Sequence, residues 1–544
     1  MIDQTKAAAA NDTRFLIGVD VGTGSVRTAT FDLSGAMLSV AKRDIALFKE
    51  AGQIVEQSSR DIWSAVCQTI REAVKTSGRS PSDAAGIGFD ATCSLVVVGA
   101  EGEPLAVGPS EDPDRNIVVW MDHRAIGQAE RINALGHDVL KYVGGRISPE
   151  METPKLLWLK ENRPETFAKA WQFFDLADYL SWRSTGDLAR STCTLTCKWT
   201  YLAHERRWDA DYFREIGLGT LANEDFARIG QRIVEPGTPC GEGLTEQAAA
   251  DFGLPPGVPV AAGMIDAHAG GIGTVGVGQG ATSNLAYVFG TSSCTMTTTR
   301  EPVFVPGVWG PYYSAMVPGL WLNEGGQSAA GAAIDQLLLF HPAADEAKSL
   351  AKSKGVALPV LLADMAIEKA KSASRAVELA RGLHVVPEFL GNRAPFADPH
   401  ARAIVAGLGM ERDLDGLVAL YVAGLCGIGY GLRQIIEVQA EAGAPVETIV
   451  ISGGAGQHPL TRQILADSCG MSVVTPVAEE PVILGSAMLG AVAAGTAASV
   501  MDAMKNMSAA KETVVPASAT LQVHNDRFAA YKILQRDGRL IRNC

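Results

Sequence analysis

Positive charge is what this chain has least of: 47 lysines and arginines stand against 60 acidic residues, leaving a net charge of −13, and no basic run offsets the deficit. Nucleic acid and anionic membrane surfaces both need a clustered positive field, so neither is an expected partner. Aromatic residues make up only 6% of the chain while glycine reaches 57 residues, a balance suited to tightly packed α/β layers. A Walker-type G-x-x-x-x-G-K-[S/T] is absent. Any phosphate cradle must therefore be built without a P-loop lysine. Gly271-Ile-Gly-Thr-Val-Gly276 imitates a dinucleotide fingerprint, but no hydrophobic strand runs into it and no acid follows about twenty residues on.

Cysteines number nine, an odd count without a regular framework, and they read as reduced thiols of a cytoplasmic protein. Cys193 and Cys197 are the nearest pair, with only His204 close in sequence, so a zinc site is not expected. Residues 1–12 carry an early acid and no apolar core, which suits a frayed leader better than a signal peptide. Three uncharged stretches, 267–299, 416–432 and 482–501, are rich in Gly, Ala, Ser or Thr and read as buried protein rather than membrane spans.

What is present begins with a repeat. Phe15-Leu-Ile-Gly-Val-Asp20-Val-Gly-Thr-Gly-Ser25 is an apolar strand entering a Gly/Thr/Ser turn and returning through β-branched residues, and Leu285-Ala-Tyr-Val-Phe-Gly290-Thr-Ser-Ser repeats that layout. Two such hairpins predict two matching lobes. Small residues in each turn let backbone N–H groups and hydroxyls converge on phosphate oxygens, which makes Thr23, Gly24, Ser25, Gly290, Thr291 and Ser292 candidate phosphate ligands. Asp20, at a strand end in the first copy only, suits a hydrated Mg2+.

Between the hairpins the pattern alternates. A strand is expected near 36–46, a helix over 62–75 with a Ser or Asp cap, a strand over 85–90 and a short strand over 117–120. Polar groups follow both of the latter, where α/β sheets open their crevices. A helix is expected over 154–161 with Trp158 on its apolar side, and the Gly/Pro-rich stretch 236–259 marks the domain change. The expected domains are 14–262, 263–510 and a C-terminal extension, 511–544, packed on the second. Strand 448–452 breaks into Gly453-Gly-Ala-Gly456 before a helix over 459–469.

Five motifs arrive in one order: Asp-x-Gly-Thr-x-Ser-x-Arg at 20–27, Lys-Leu-Leu-Trp at 155–158, Asp-Ala-His at 266–268, Phe-Gly-Thr-Ser at 289–292 and Ser-Gly-Gly-Ala-Gly at 452–456. Together they resemble the FGGY family of carbohydrate kinases over nearly the whole chain, from about Phe15 to Thr496. Glu152 departs from the first family signature, and the second is only loosely matched at 403–420. The Thr92-Cys93-Ser94 segment, Trp120-Met-Asp-His-Arg124 and Cys193 to Trp199 are similar to the ribulokinase branch, the D-ribulokinase type most of all.

The resemblance implies an α/β fold of the two-lobed actin-like, ribonuclease H-like kind, duplicated, with the active site in the cleft between lobes. It implies ATP and Mg2+ as cofactors and a pentulose as substrate, with D-ribulose the first choice. L-ribulose, D-xylulose and ribitol are alternatives, and an actin- or chaperone-like ATPase switch is a reading from another class. A homodimer is the assembly known for many members. By resemblance Asp266 is the catalytic base, a role that suits a carboxylate within reach of an acceptor hydroxyl. Arg27 suits phosphate or the sugar terminus, or a plain ion pair; Lys198 resembles the substrate lysine of ribulokinases, or is a loop lysine. Ser94, Trp120, Asp122 and Glu324 offer the polar groups and apolar platform a sugar needs. Gly453, Gly454, Ala455 and Gln457 fit the nucleotide side, and His268 is either a sugar contact or a core histidine.

Overall fold

The computed structural model describes residues 12–542 apart from 52 and 279. Most of the expected leader and Cys544 lie outside the described residues.

Strand β1 (Phe15–Val21) is buried along its whole length, as an unbroken apolar run with one acid dictates. It pairs antiparallel with β2 (Ser25–Asp32), which pairs with β3 (Met37–Asp44). On its other side β1 runs parallel to β6 (Ala84–Ala91), and β10 (Met264–Ile265) extends β6 in parallel. The sheet order is therefore β3-β2-β1-β6-β10.

The second sheet repeats it. Strand β11 (Asn284–Phe289) pairs antiparallel with β12 (Ser293–Thr299), and β12 pairs with β14 (Trp321–Gln327). On the far side β11 runs parallel to β15 (Thr448–Ser452), which runs parallel to β16 (Ser472–Pro476). Outer strands β13 (Trp309–Tyr313) and β17 (Ala510–Val514) widen this sheet to seven. The fold is thus a duplicated, two-lobed α/β architecture, as the paired hairpins predict.

A separate antiparallel sheet, β4 (Phe48–Glu50), β5 (Ile54–Gln57), β8 (Ile117–Val118), β7 (Leu95–Val98) and β9 (Gln172–Asp175), grows from the first lobe. Helix α1 (Ser59–Ser77) covers the first sheet. Ser58 caps it by accepting from the Asp61 amide, and Gly78 ends it in a left-handed conformation. Helix α2 (Glu152–Asn162) carries the Lys155-Leu-Leu-Trp segment and is buried nearly all round.

Sequence spacing puts the domain change just before Met264 and makes 264–265 the opening strand of the second domain. Here that strand instead completes the first sheet, because two apolar residues with no charge find their partners on β6. The chain then enters α4 (Asp266–Val275), which crosses to the second lobe. Helix α8 (Pro481–Ala493) returns the favour: it follows the second sheet in sequence but lies on β1 and β6. A Cβ on Gly18 would stand 2.1 Å from the Ile483 carbonyl oxygen, and one on Gly88 1.9 Å from that of Ser486. The largest core cluster accordingly runs through both lobes, joining Leu16 and Ala29 to Ala269, Ile272, Ala487 and Met296.

Helix α6 (Leu414–Glu441) is long and apolar enough by composition to cross a membrane, yet most of it is buried in the second lobe's own core. Helix α9 (Leu521–Ile541) packs on this lobe too, with Tyr430 and Ser468 both contacting His524 and Arg527 donating to the Ala380 and Leu383 carbonyls.

Gly88→Ala should force α8 off the sheet and lower stability by about 3 kcal/mol, read as a shift in denaturant midpoint. Gly127→Ala, in helix Ile126–Leu135 with open space around it, should be neutral or stabilising by up to about 1 kcal/mol.

Candidate active site

Three neighbouring parallel strands end together, and each end carries an acid. Asp20 on β1 lies opposite Asp90 on β6, and Ile265 on β10 lies opposite Ala91, so Asp266 emerges beside them. Asp90 is fully buried. Burial, and then the charge of Asp20, hold its carboxyl well above the usual range, and Ser486 of α8 donates to it. Asp266 is half-exposed at the cleft; burial first and Asp20 second push it up to about 6, while the Ala267 amide and Lys198 pull the other way. Asp20 spends Oδ2 on Arg27. Crowded carboxylates at three strand ends, with one guanidinium among them, are a donor set that would suit one hydrated divalent cation.

The two hairpin turns face the cleft with Thr23, Gly24 and Ser25 on one side and Gly290, Thr291 and Ser292 on the other, all at least partly open. Thr23 is held in place: its carbonyl accepts from Gln57 at 2.8 Å and its hydroxyl from the Trp120 indole at 2.9 Å. In the second turn the Thr291 carbonyl accepts the Ala330 and Ala332 amides, tying the turn to the start of α5 (Gly331–Leu339). Beyond it opens a cavity of about 570 Å³ lined by Gly290, Thr291, Gly454, Ala455, Gln457 and Asp335, with Pro359, Val360, Tyr421 and Leu425 as apolar walls. A flat aromatic base fits such walls. Gly453 stands behind the turn at φ 93°, where a side chain would strike the Phe289 backbone, and Ser292 lies outside the cavity lining.

Opposite Asp266, Lys198 and Glu324 form the polar wall. Lys198 ends α3 (Thr192–Lys198); burial alone would discharge it, but the Glu324 carboxylate beside it holds it charged. Glu324 on β14 is also buried, which would raise it, yet the His268 hydrogen bond at 3.4 Å and the Lys198 charge hold it down at about 2. An ionised acid and an ionised lysine thus lie within electrostatic reach of Asp266.

Several sequence candidates find other partners. Asp122 is fully buried and receives four donors: the Val55 amide at 2.6 Å on Oδ2, the Arg124 amide and Nε on Oδ1, and Arg124 Nη2 on Oδ2. Its acceptor positions are filled by the loop that Arg124 ties to Glu56. Ser94 is fully buried as well, bonded to the Thr92 hydroxyl at 3.0 Å and to the Trp120 amide at 3.1 Å. Buried polar atoms at strand ends must be satisfied locally, and these two satisfy the loops instead of facing open space. Arg27 bridges Asp20 to Glu480, at 2.6 Å, at the foot of α8. It is therefore an ion pair across the cleft floor rather than a free guanidinium. Trp120 is half-exposed, and its amide and indole tie the Ser94 loop to the Thr23 turn.

Spatial neighbours show what spacing hid. His268 meets Cys193 and Glu324; the residue near Cys193 and Cys197 is His268, and His204 stacks elsewhere with Tyr142 and Trp321. Among the described residues no set of His, Cys, Asp and Glu is disposed to hold a metal on its own. Trp309 and Arg393 escaped the sequence reading altogether. Lys198 Nζ lies 5.8 Å and the Arg393 guanidinium 5.6 Å from the Trp309 ring centre. Arg393 also reaches Cys294 Sγ at 3.6 Å. Glu150, paired with His123 at 3.4 Å, is the third missed group: burial would raise it, but His123 first, then Lys198, hold it below its usual range. Polar loop sequence around Asn392-Arg-Ala-Pro395 was the available signal, and nothing in its spacing points to Lys198.

The model of the FGGY family of carbohydrate kinases, N-terminal domain, matches residues 15–273, and that of the C-terminal domain matches residues 285–494. The chain is 45% identical over 529 residues to the FGGY carbohydrate kinase domain-containing protein of Homo sapiens, covering 95% of each chain. It is 40% identical over 517 residues to a D-ribulokinase of Saccharomyces cerevisiae, covering 89% of this chain and 72% of that one. The xylulose kinase of Rhodospirillum rubrum has the same fold, with a TM-score of 0.80 at 22% identity over 97% of this chain and 99% of that one.

Asp122→Asn removes one charge from the buried Arg124 pair and should cost about 3 kcal/mol of stability while leaving the sugar affinity of the folded protein near wild type. A selective rise in sugar KM at unchanged stability would return Asp122 to the substrate.

Proposed function

The chain belongs to the FGGY family of carbohydrate kinases and is an ATP-dependent sugar kinase; we propose that its substrate is a pentulose, D-ribulose first, phosphorylated on the C5 hydroxyl to give D-ribulose 5-phosphate. One observation carries the reading: Asp266, at the ends of the parallel strands, lies within electrostatic reach of both Lys198 and Glu324. The 40% identity to a D-ribulokinase supports the choice of sugar.

The sugar lies against Lys198 and Glu324, which bond its hydroxyl and carbonyl oxygens, with Trp120 and Trp309 as apolar flanks. Thr23, Gly24, Ser25, Gly290 and Thr291 direct donors at the phosphates, and Gly454, Ala455 and Gln457 meet the nucleoside. Asp266 accepts the proton of the C5 hydroxyl as that oxygen bonds to the γ-phosphorus and the bond to ADP breaks. Asp20 would hold Mg2+, which would supply neutralisation of the charge on the transferred phosphoryl group. Arg27 holds Asp20 in place while its other arm grips Glu480.

Asp266 acts in its ionised form, and its carboxyl is raised from 3.8 to about 6. Turnover should therefore be level above pH 6 and fall as pH drops through about 6. Asp266→Asn should lose this acid limb with about 10²- to 10⁴-fold of kcat and keep nucleotide binding. Near wild-type turnover by that variant would remove Asp266 from its role.

ADP release with a panel of pentuloses tests the substrate. Cys93 is buried beside Lys198 at the strand end. D-ribulose should exceed L-ribulose and D-xylulose in kcat/KM by roughly ten- to a hundredfold, and Cys93→Gly should narrow that gap. Equal efficiency on all three would refute the D-ribulose choice. ADP release indifferent to any sugar would point to an ATPase switch.

A further inference from the structure

Histidine 268 touches neither turn, yet it is one of the most enclosed polar residues in the molecule, 1% exposed. Its two ring nitrogens have different neighbours. Nδ1 lies 3.1 Å from Cys193 Sγ and 4.0 Å from Cys197 Sγ, while Nε2 lies 3.4 Å from Glu324 Oε2. Cys193 in turn accepts the backbone N–H of Ile265 at 3.4 Å, on the residue immediately before Asp266. The contacts form an unbroken path from the strand that carries Asp266, through α3 and α4, to β14 in the other lobe.

We propose that His268 is a positioning residue: its Nε2–H fixes the orientation of the Glu324 carboxylate toward the sugar, and the Cys193 thiol selects the tautomer that makes this possible. The proposal rests on the reading that Glu324 meets the pentulose.

The direction of each bond follows from chemistry. A carboxylate only accepts, so the nitrogen facing Glu324 must carry the proton. Nδ1 of the neutral ring is then a bare acceptor, and its neighbour must donate. Burial holds the Cys193 thiol well above its ordinary value, so it remains an S–H and can do so. Its sulfur, already accepting from Ile265, is oriented by the backbone.

Glu324 has a competing partner. Lys198 is close enough to help keep it ionised, and without the imidazole the carboxylate is free to swing onto that ammonium. A collapsed Glu324–Lys198 pair would take both groups from the sugar at once. Holding the carboxylate from the far side keeps two opposite charges apart and ready for hydroxyls. The expected signature is a defect in sugar binding with phosphoryl transfer largely preserved.

Gln and Asn place an amide near Nε2 and Nδ1 respectively, which separates the two sides of the ring. His268→Gln keeps a donor at Glu324 and should hold pentulose KM within about threefold of wild type, whereas His268→Asn and His268→Leu should raise it about tenfold or more, with ATP KM and kcat changed less than about threefold. Cys193→Ser keeps a donor to Nδ1 and should resemble wild type; Cys193→Ala should raise pentulose KM. Glu324→Gln is the reference, and adding His268→Leu to it should cause no further rise, because both act through one carboxylate.

Equal pentulose KM for the Gln and Asn variants overturns the proposal, and this comparison stands even if His268→Leu does not fold. An unchanged KM in His268→Asn beside a raised one in Glu324→Gln overturns it while leaving the pentulose kinase reading intact. An unchanged KM in Glu324→Gln removes the premise, and with it both the proposal and the sugar-binding role of Glu324.

Discussion

Backbone-to-backbone contact between helix α8 and strands β1 and β6 is the constraint from which the rest of the site follows. Glycine at 18 and 88 lets a helix from the second half of the chain lie on the first lobe's sheet without a side chain between them. Such closeness fixes the helix to a fraction of an ångström. Ser486 then falls on Asp90 and Glu480 falls on Arg27, so Asp90 and, through Arg27, Asp20 are oriented by a segment 396 or more residues away in sequence. Helix α4 packs beside α8 in the same core, and the two lobes therefore share one apolar body instead of meeting across a polar seam.

That shared core makes the cleft floor a low-dielectric place, and the charges in it behave accordingly. Asp90 and Asp266 are pushed up, whereas Glu324 is pulled down because an imidazole and an ammonium face it. The same residue type is thus given opposite protonation by its surroundings. An acid near 6 is a usable base at neutral pH, and an acid near 2 is a permanent hydrogen-bond acceptor. Burial alone would raise both acids; His268 and Lys198, which face Glu324, reverse it there. A second buried set is Glu152, pushed up by burial to about 7 although Lys155 lies 3.3 Å away on the same helix.

The sequence by itself determined the duplication, the positions of both phosphate turns and the acid at the end of β10. These are local facts: strand periodicity, Gly/Thr/Ser composition and a lone carboxylate in an uncharged run are visible within ten residues of one another. The candidate nucleotide residues Gly290, Thr291, Gly454, Ala455 and Gln457 meet in one cavity because each sits in a turn that follows a strand of one sheet, a placement that motif order already implied. What only the tertiary structure decided is which polar group faces which. Asp122 and Ser94 look like ligands in sequence, yet Arg124 and Trp120 fill their bonding positions. Arg393 and Trp309 look ordinary, yet Arg393 and Lys198, nearly two hundred residues apart, both stand against the Trp309 ring. His268 was ambiguous for the same reason. A side chain's role depends on the partner that competes for its hydrogen bonds, and when that partner lies on another lobe no spacing along the chain can name it.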